Sequence, residues 1–276
     1  MNKVLSIHSC LLFKIALFIS ALIILLLTGG VLYSLIFQSL PAFRHFGFLS
    51  FFCSSGWKTG EEEYRTLSFI AGTFSTAIPA LLISIPFSLS LALLNNVYRK
   101  GTKIARGINA AVDLCAQIPS IILGVWGYFS LRPLLLSLHA ETYGLRIFAT
   151  ALVLSLMIIP YITSLIVYFF DKIPENIKEG AYCLGATHTE VIRKVYFPFA
   201  QKGIAVACLM AFGKVLGETM IVCMLAGNTI TSLIAGQFEN AGELQLSELF
   251  AVALFLFLTT AIINSITIYI KKRITL

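Results

Sequence analysis

The chain has 276 residues, 58% of them hydrophobic and only 12% charged, a balance that no water-soluble domain sustains. The net charge of +7 comes with no soluble face on which basic residues cluster, so no nucleic-acid partner is expected. Six cysteines without a CxxC spacing imply neither a disulfide framework nor a metal site, and no cofactor is expected.

A helix rises about 1.5 Å per residue, so crossing the ~30 Å hydrocarbon core takes about 20 mostly apolar residues. Six such segments lie near residues 14–37, 67–97, 107–131, 147–170, 203–225 and 247–270. The first, IALFISALIILLLTGGVLYSLIF, is too long for a secretory signal and lacks a small-residue cleavage site; it reads as a retained anchor. Residues 1–66 are then an anchor helix with an external loop, and residues 67–276 the core of an all-α membrane protein. Pro79, Pro86, Pro119 and Pro160 each free backbone carbonyls and kink a span, mostly in the service of packing. In the third span Asp113 falls near the cytoplasmic end, while Trp126 and Tyr128 read as interfacial anchors at the outer end.

Basic residues orient the bundle. With the N-terminus inside, Lys3, Lys14, Arg99, Lys100, Lys103, Arg106, Lys172, Lys178, Arg193, Lys194, Lys202 and Lys271 to Arg273 share one side. Arg44, Lys58, Arg65, Arg132 and Arg146 fall on the other, which predicts that both termini are cytoplasmic.

Between the fourth and fifth spans the chain turns polar. In PENIKEGAYCLG, Pro174 starts a helix, Ile177, Ala181 and Leu184 recur at i, i+4 and i+7, and Gly185 supplies a stop. Thr187 and Glu190 then form a T-x-x-E capping box with His188 in the turn. Val191, Ile192, Val195 and Tyr196 follow at helical spacing, and Pro198 ends the run. Two helices this short cannot bury a core of their own, so residues 174–198 need cover from lipid headgroups or from a partner protein.

The fifth span carries Lys214 and Glu218, four residues apart and so on one helix face. A charge at mid-bilayer costs about 2.5–3.5 kcal/mol, so the two either neutralise each other between helices or face a water-filled path.

These stretches resemble the binding-protein-dependent ABC importer permeases. Their EAA loop usually reads E-A-A, three residues, G, nine residues, I-x-L-P. Here Glu179, Gly180, Ala181 and Gly185 match its front half, with Gly180 for alanine, and Val195, Tyr196, Phe197 and Pro198 stand at its end. DLCAQIPSIILGVWG and AFGKVLGETMIVCMLAGN further resemble the phosphate-specific permeases of PstC type, with Lys214 where those tend to have arginine. The resemblance implies an ABC type I importer permease-like bundle of six transmembrane helices in the bacterial inner membrane. Glu179, Gly180, Ala181, Gly185 and Pro198 would couple it to an ATPase, and Lys214, Glu218 and Thr219 would line the substrate path. It also implies a second, PstA-like permease subunit, two copies of an ATP-binding subunit and an external phosphate-binding protein, which the acidic EEEYR segment at 61–65 would face.

No G-x-x-x-x-G-K-[ST] appears, and no soluble segment is long enough for an ATPase domain, so the energy is expected from a partner and the chain itself is not expected to be an enzyme. Lysine lacks the bidentate fork of arginine, so molybdate or sulfate stays open as an alternative to phosphate. A self-sufficient secondary transporter would ordinarily carry an internal repeat and more intramembrane ionisable groups. A membrane scaffold would not need the buried Lys214 and Glu218.

Overall fold

The computed structural model describes residues 2–53, 57–59, 62–64, 66–98, 102–138 and 143–273. Glu61, Arg65, Arg99 and Lys100, which bear on the external loop and the topology, lie outside the described residues. Among the described residues, six helices are long and apolar enough to cross a membrane: Phe13–Phe46, Thr66–Tyr98, Ser120–Ser137, Gly144–Asp171, His188–Leu216 and Glu243–Lys272. The all-α expectation holds, with one small addition. A helix α1 (Asn2–Phe46) and a short α2 (Phe48–Cys53) lead into an antiparallel ribbon, β1 (Trp57–Thr59) and β2 (Glu62–Tyr64), that pairs Trp57 with Tyr64 and Thr59 with Glu62.

The centre of the bundle is the contact between α3 (Thr66–Leu93) and α7 (Tyr143–Asp171), the most extensive between elements among the described residues. On α7, Leu154, Ile158, Ile162, Ile166 and Phe170 recur every four residues and are each 0% exposed. Opposite them α3 presents Ala77, Ala80, Ser84, Ser88 and Ala92, all buried. Lipid tails are as apolar as leucine, so helix pairing there rests on close packing and polar links rather than on hydrophobic burial. Small residues on α3 permit the close approach, and the Ser88 hydroxyl donates to the Ile159 carbonyl of α7 at 3.1 Å.

Around this pair lie α10 (Phe197–Leu216), packed on α3, α7 and α13, and α13 (Glu243–Lys272) itself. The chain's first helix joins the bundle only at its far end, where the Ala42 N–H donates to the Ser247 hydroxyl of α13 at 2.8 Å. Earlier along α1, Phe18, Leu25 and Leu27 are at least 65% exposed, a surface suited to lipid.

Two spans depart from the hydropathy reading. Residues 103–116 do not begin the third span: they form a separate amphipathic helix, α4 (Lys103–Ala116), capped by the Thr102 hydroxyl on the Ala105 N–H at 3.2 Å. Pro119 disfavours helical geometry at the residue before it. The crossing therefore starts afresh with α5 (Ser120–Trp126), passes a π turn at Gly127–Leu131 and ends in α6 (Arg132–Leu138). Asp113 is consequently exposed on α4, outside the span, and Trp126 sits midway along the shortened crossing instead of at its end.

The fifth span, expected to run unbroken to 225, stops at Leu216 and resumes as α11 (Met220–Leu225). A loop through Thr229 leads to α12 (Ile230–Gln237).

Candidate functional site

The hairpin at 174–198 folds largely as its local signals dictate. Helix α8 (Glu175–Cys183) ends in a Schellman motif, with the Ala186 N–H on the Ala181 carbonyl at 3.2 Å and the Gly185 N–H on the Tyr182 carbonyl at 2.9 Å. Gly185 takes a φ of +80°, a conformation that L side chains rarely adopt. The capping box then starts α9 (His188–Val191): the Glu190 carboxylate accepts from the Thr187 N–H at 3.0 Å, and the Thr187 hydroxyl accepts from the Glu190 N–H at 3.4 Å. Pro198 does not end this helix. A π turn at Ile192–Tyr196 widens the backbone just ahead of the proline, which has no N–H to give and crowds the carbonyl four residues back. His188 to Leu216 is therefore one continuous rod.

The hairpin's apolar face divides in two. Ala181, Ala186 and Val195 pack onto the core, while Ile177 is 40% and Leu184 91% exposed. A shallow groove lies beside Leu184, with Glu190 and Lys194 on its rim. Glu179 and Gly180 are exposed on α8. Lys178, read from sequence only as a topological charge, is buried, with its ammonium 3.2 Å from the Glu175 carboxylate and 5.5 Å from the centre of the Tyr196 ring. The Tyr182 hydroxyl meets His188 Nδ1 at 3.0 Å; burial, and then the neighbouring Tyr98, push this phenol above its ordinary range and keep it protonated.

The second part of the site is the break in the fifth span. Lys214 is exposed at the end of α10, its ammonium 4.6 Å from the centre of the Tyr161 ring on α7. Glu218 lies beyond the end of that helix, in the break, where its carboxylate accepts the Met220 N–H at 3.2 Å. The helical i, i+4 geometry is thus absent, and no ion pair within 4.0 Å joins Lys214 to Glu218. Thr219, half-buried, closes the break with its hydroxyl on the Gly217 carbonyl at 3.4 Å.

Side chains given no such role in the sequence reading meet this break and the loop after it. The Thr231 hydroxyl donates to the Glu218 carbonyl at 2.9 Å, and Thr73 of α3 accepts the Ile230 N–H at 3.0 Å. Arg146 of α7 donates from Nε to the Leu225 carbonyl at 3.4 Å and lies against Gly227, which takes a φ of +67°. Glu248, at the start of the sixth span, is 1% exposed. A buried carboxylate there was legible only as a charge at a span boundary. Irregular backbone within a membrane protein is tolerated where protein buries it or a polar cavity adjoins it.

Comparison with known proteins gives this geometry a context. The model of the family described as "Binding-protein-dependent transport system inner membrane component" matches residues 84–276. The phosphate transport system permease protein PstC of Mesorhizobium japonicum is 36% identical, over 92% of this chain and 88% of that protein. PstC of Pasteurella multocida is 33% identical, over 92% and 89%. Among solved structures, a chain of the inward-facing MetNI methionine ABC transporter superposes with a TM-score of 0.59 at 20% identity, covering 76% of this chain and 94% of that one. A chain of a bacterial alginate ABC transporter gives 0.60 at 18% identity, covering 88% and 89%. At these identities the structures speak for the fold alone. The chain is a multi-pass membrane protein that belongs to the family of binding-protein-dependent transport system inner membrane components.

Proposed function

We propose that the chain is the transmembrane permease subunit of an ATP-driven, binding-protein-dependent phosphate importer, and that it forms half of the translocation path. The observation that carries this reading is its similarity, along nine-tenths of its length, to permeases named for phosphate transport. Both termini face the cytoplasm, residues 1–66 anchor the chain and residues 67–276 form the permease core. A PstA-like subunit supplies the other half of the path, two ATP-binding subunits drive it, and an external phosphate-binding protein delivers the solute.

The hairpin at 174–198 couples the path to an ATPase. Glu179, Gly180 and the bare Leu184 face outward from it, Ala181 seats it on the core, Gly185 sets its turn, and Pro198 joins it to the fifth span through the π turn. Lys214, Glu218 and Thr219 line the path: a lysine ammonium is a point-charge partner for a hydrated oxyanion, weak enough to let it leave. Because lysine stands where the resembling permeases tend to carry arginine, transport of molybdate or sulfate is the second reading.

The test is co-purification from the native membrane, followed by radiolabelled phosphate uptake into vesicles with and without ATP and the binding protein. Recovery of an ATPase with ATP-dependent uptake, reduced by excess unlabelled phosphate but not by molybdate or sulfate, is the expected result. Uptake by the isolated chain on an ion gradient would overturn the reading.

A further inference from the structure

At the end of the bundle that carries the hairpin, a cavity of about 240 Å³ opens between α7, α10 and α13. Its walls are Tyr168, Phe169, Phe199 and Gly203, and two lysines stand at it: Lys172, just past the end of α7, and Lys271, in the last turn of α13. No acidic side chain lines it among the described residues. At ~30 Å³ per water the space takes several waters, room enough for a phosphate headgroup.

From this arrangement we propose that the cavity binds the phosphate of an anionic phospholipid, a site separate from the solute path and independent of which solute is carried. Lysines in the last turns of helices complement the helix dipole in any case. What makes a site here is convergence: two chain-distant lysines line one cavity whose walls are aromatic. Lys172 is held on that wall, 5.2 Å from the centre of the Tyr168 ring. Tyr168 is 49% and Phe199 52% exposed, so each offers a flat apolar surface along which an acyl chain can lie. Tyrosine is enriched at the depth of the headgroups, and basic pockets between transmembrane helices on the cytoplasmic side are suited to anionic headgroups.

A Cβ at Gly203 would lie 2.3 Å from the Phe169 ring, so glycine there lets this wall of the cavity pack directly against α10. Free inorganic phosphate offers the same oxygens to the lysines but has no acyl chain for the aromatic walls, and this difference separates the two sources.

The test uses the full-length chain in the complex it co-purifies with, delipidated in detergent and titrated separately with phosphatidylglycerol, phosphatidylcholine and inorganic phosphate, with adducts read by native mass spectrometry. Phosphatidylglycerol should be retained, phosphatidylcholine should bind far less, and millimolar inorganic phosphate should not displace the lipid. The double substitution Lys172→Gln with Lys271→Gln should weaken retention roughly 30-fold, the effect of two lysines near an anionic headgroup. If the double variant does not assemble, each single substitution should weaken retention about 5-fold on the same scale and carries the same test. Equal retention by wild type and variants, equal binding of phosphatidylcholine, or displacement by inorganic phosphate would each overturn the proposal.

Discussion

Gly185 allows backbone conformation to be tested apart from packing. Its φ of +80° sets the turn between the two hairpin helices, yet a Cβ built there meets nothing within 4 Å. Any penalty for Gly185→Ala is therefore conformational, about 1–2 kcal/mol for an L-residue in the left-handed region, or roughly a 5–30-fold loss of the closed turn. Gly185→Asn should be milder, since asparagine visits that region more readily, and Gly185→Val should be worst. Hydrogen exchange across residues 179–190 in the assembled complex reads the closed turn directly, because the Ala186 amide is held on the Ala181 carbonyl. The expected order of exchange rates is Val, Ala, Asn, Gly from fastest to slowest, with ATP-dependent uptake falling in parallel. Wild-type exchange in the alanine variant, or no ranking among the three, would refute the Schellman account of this turn.

Other outcomes follow from the same geometry. Leu184→Ala should leave thermal stability unchanged, because the side chain is already 91% exposed, but weaken ATPase-subunit affinity by about 10–100-fold if that leucine is buried in the complex; unchanged affinity would remove it from the interface. Glu179→Lys reverses a charge on the exposed face of α8 and should abolish uptake while membrane insertion stays normal; wild-type uptake at normal expression would end its coupling role. Lys214→Ala should lower uptake without weakening subunit assembly, and a variant that fails to assemble instead would mark the lysine as structural.

Where a few neighbouring residues decide the outcome, the sequence was readable. Thr187 with Glu190 announced a capping box, Gly185 announced a stop, and both stand in the structure with the expected hydrogen bonds. The number of spans was legible for a similar reason, since long apolar runs have few other fates. Their internal breaks were not. A hydropathy window averages over Gly217 to Thr219, although Glu218 there takes up a backbone amide and forsakes the helix. The third span was misplaced because α4 is apolar enough on one face to extend a run, and only Pro119 hinted at the division. Pro198 was over-read as a terminator because the widened turn before it arises from the backbone path, for which composition offers no sign. Arg146 took on its role only when the distant Leu225 carbonyl came within reach, and Glu248 became buried only once the helices packed.

The rod from His188 to Leu216 has a mechanical consequence. Twenty-nine residues at about 1.5 Å each make a lever of about 43 Å, with the polar hairpin at one end and the Gly217 break at the other. Tilting such a lever by ~5° sweeps its far tip through about 4 Å, comparable to the rise of three helical residues. If an ATPase docks at Leu184 as proposed, a small rocking there would be carried along this helix to the place where the helical ladder is interrupted.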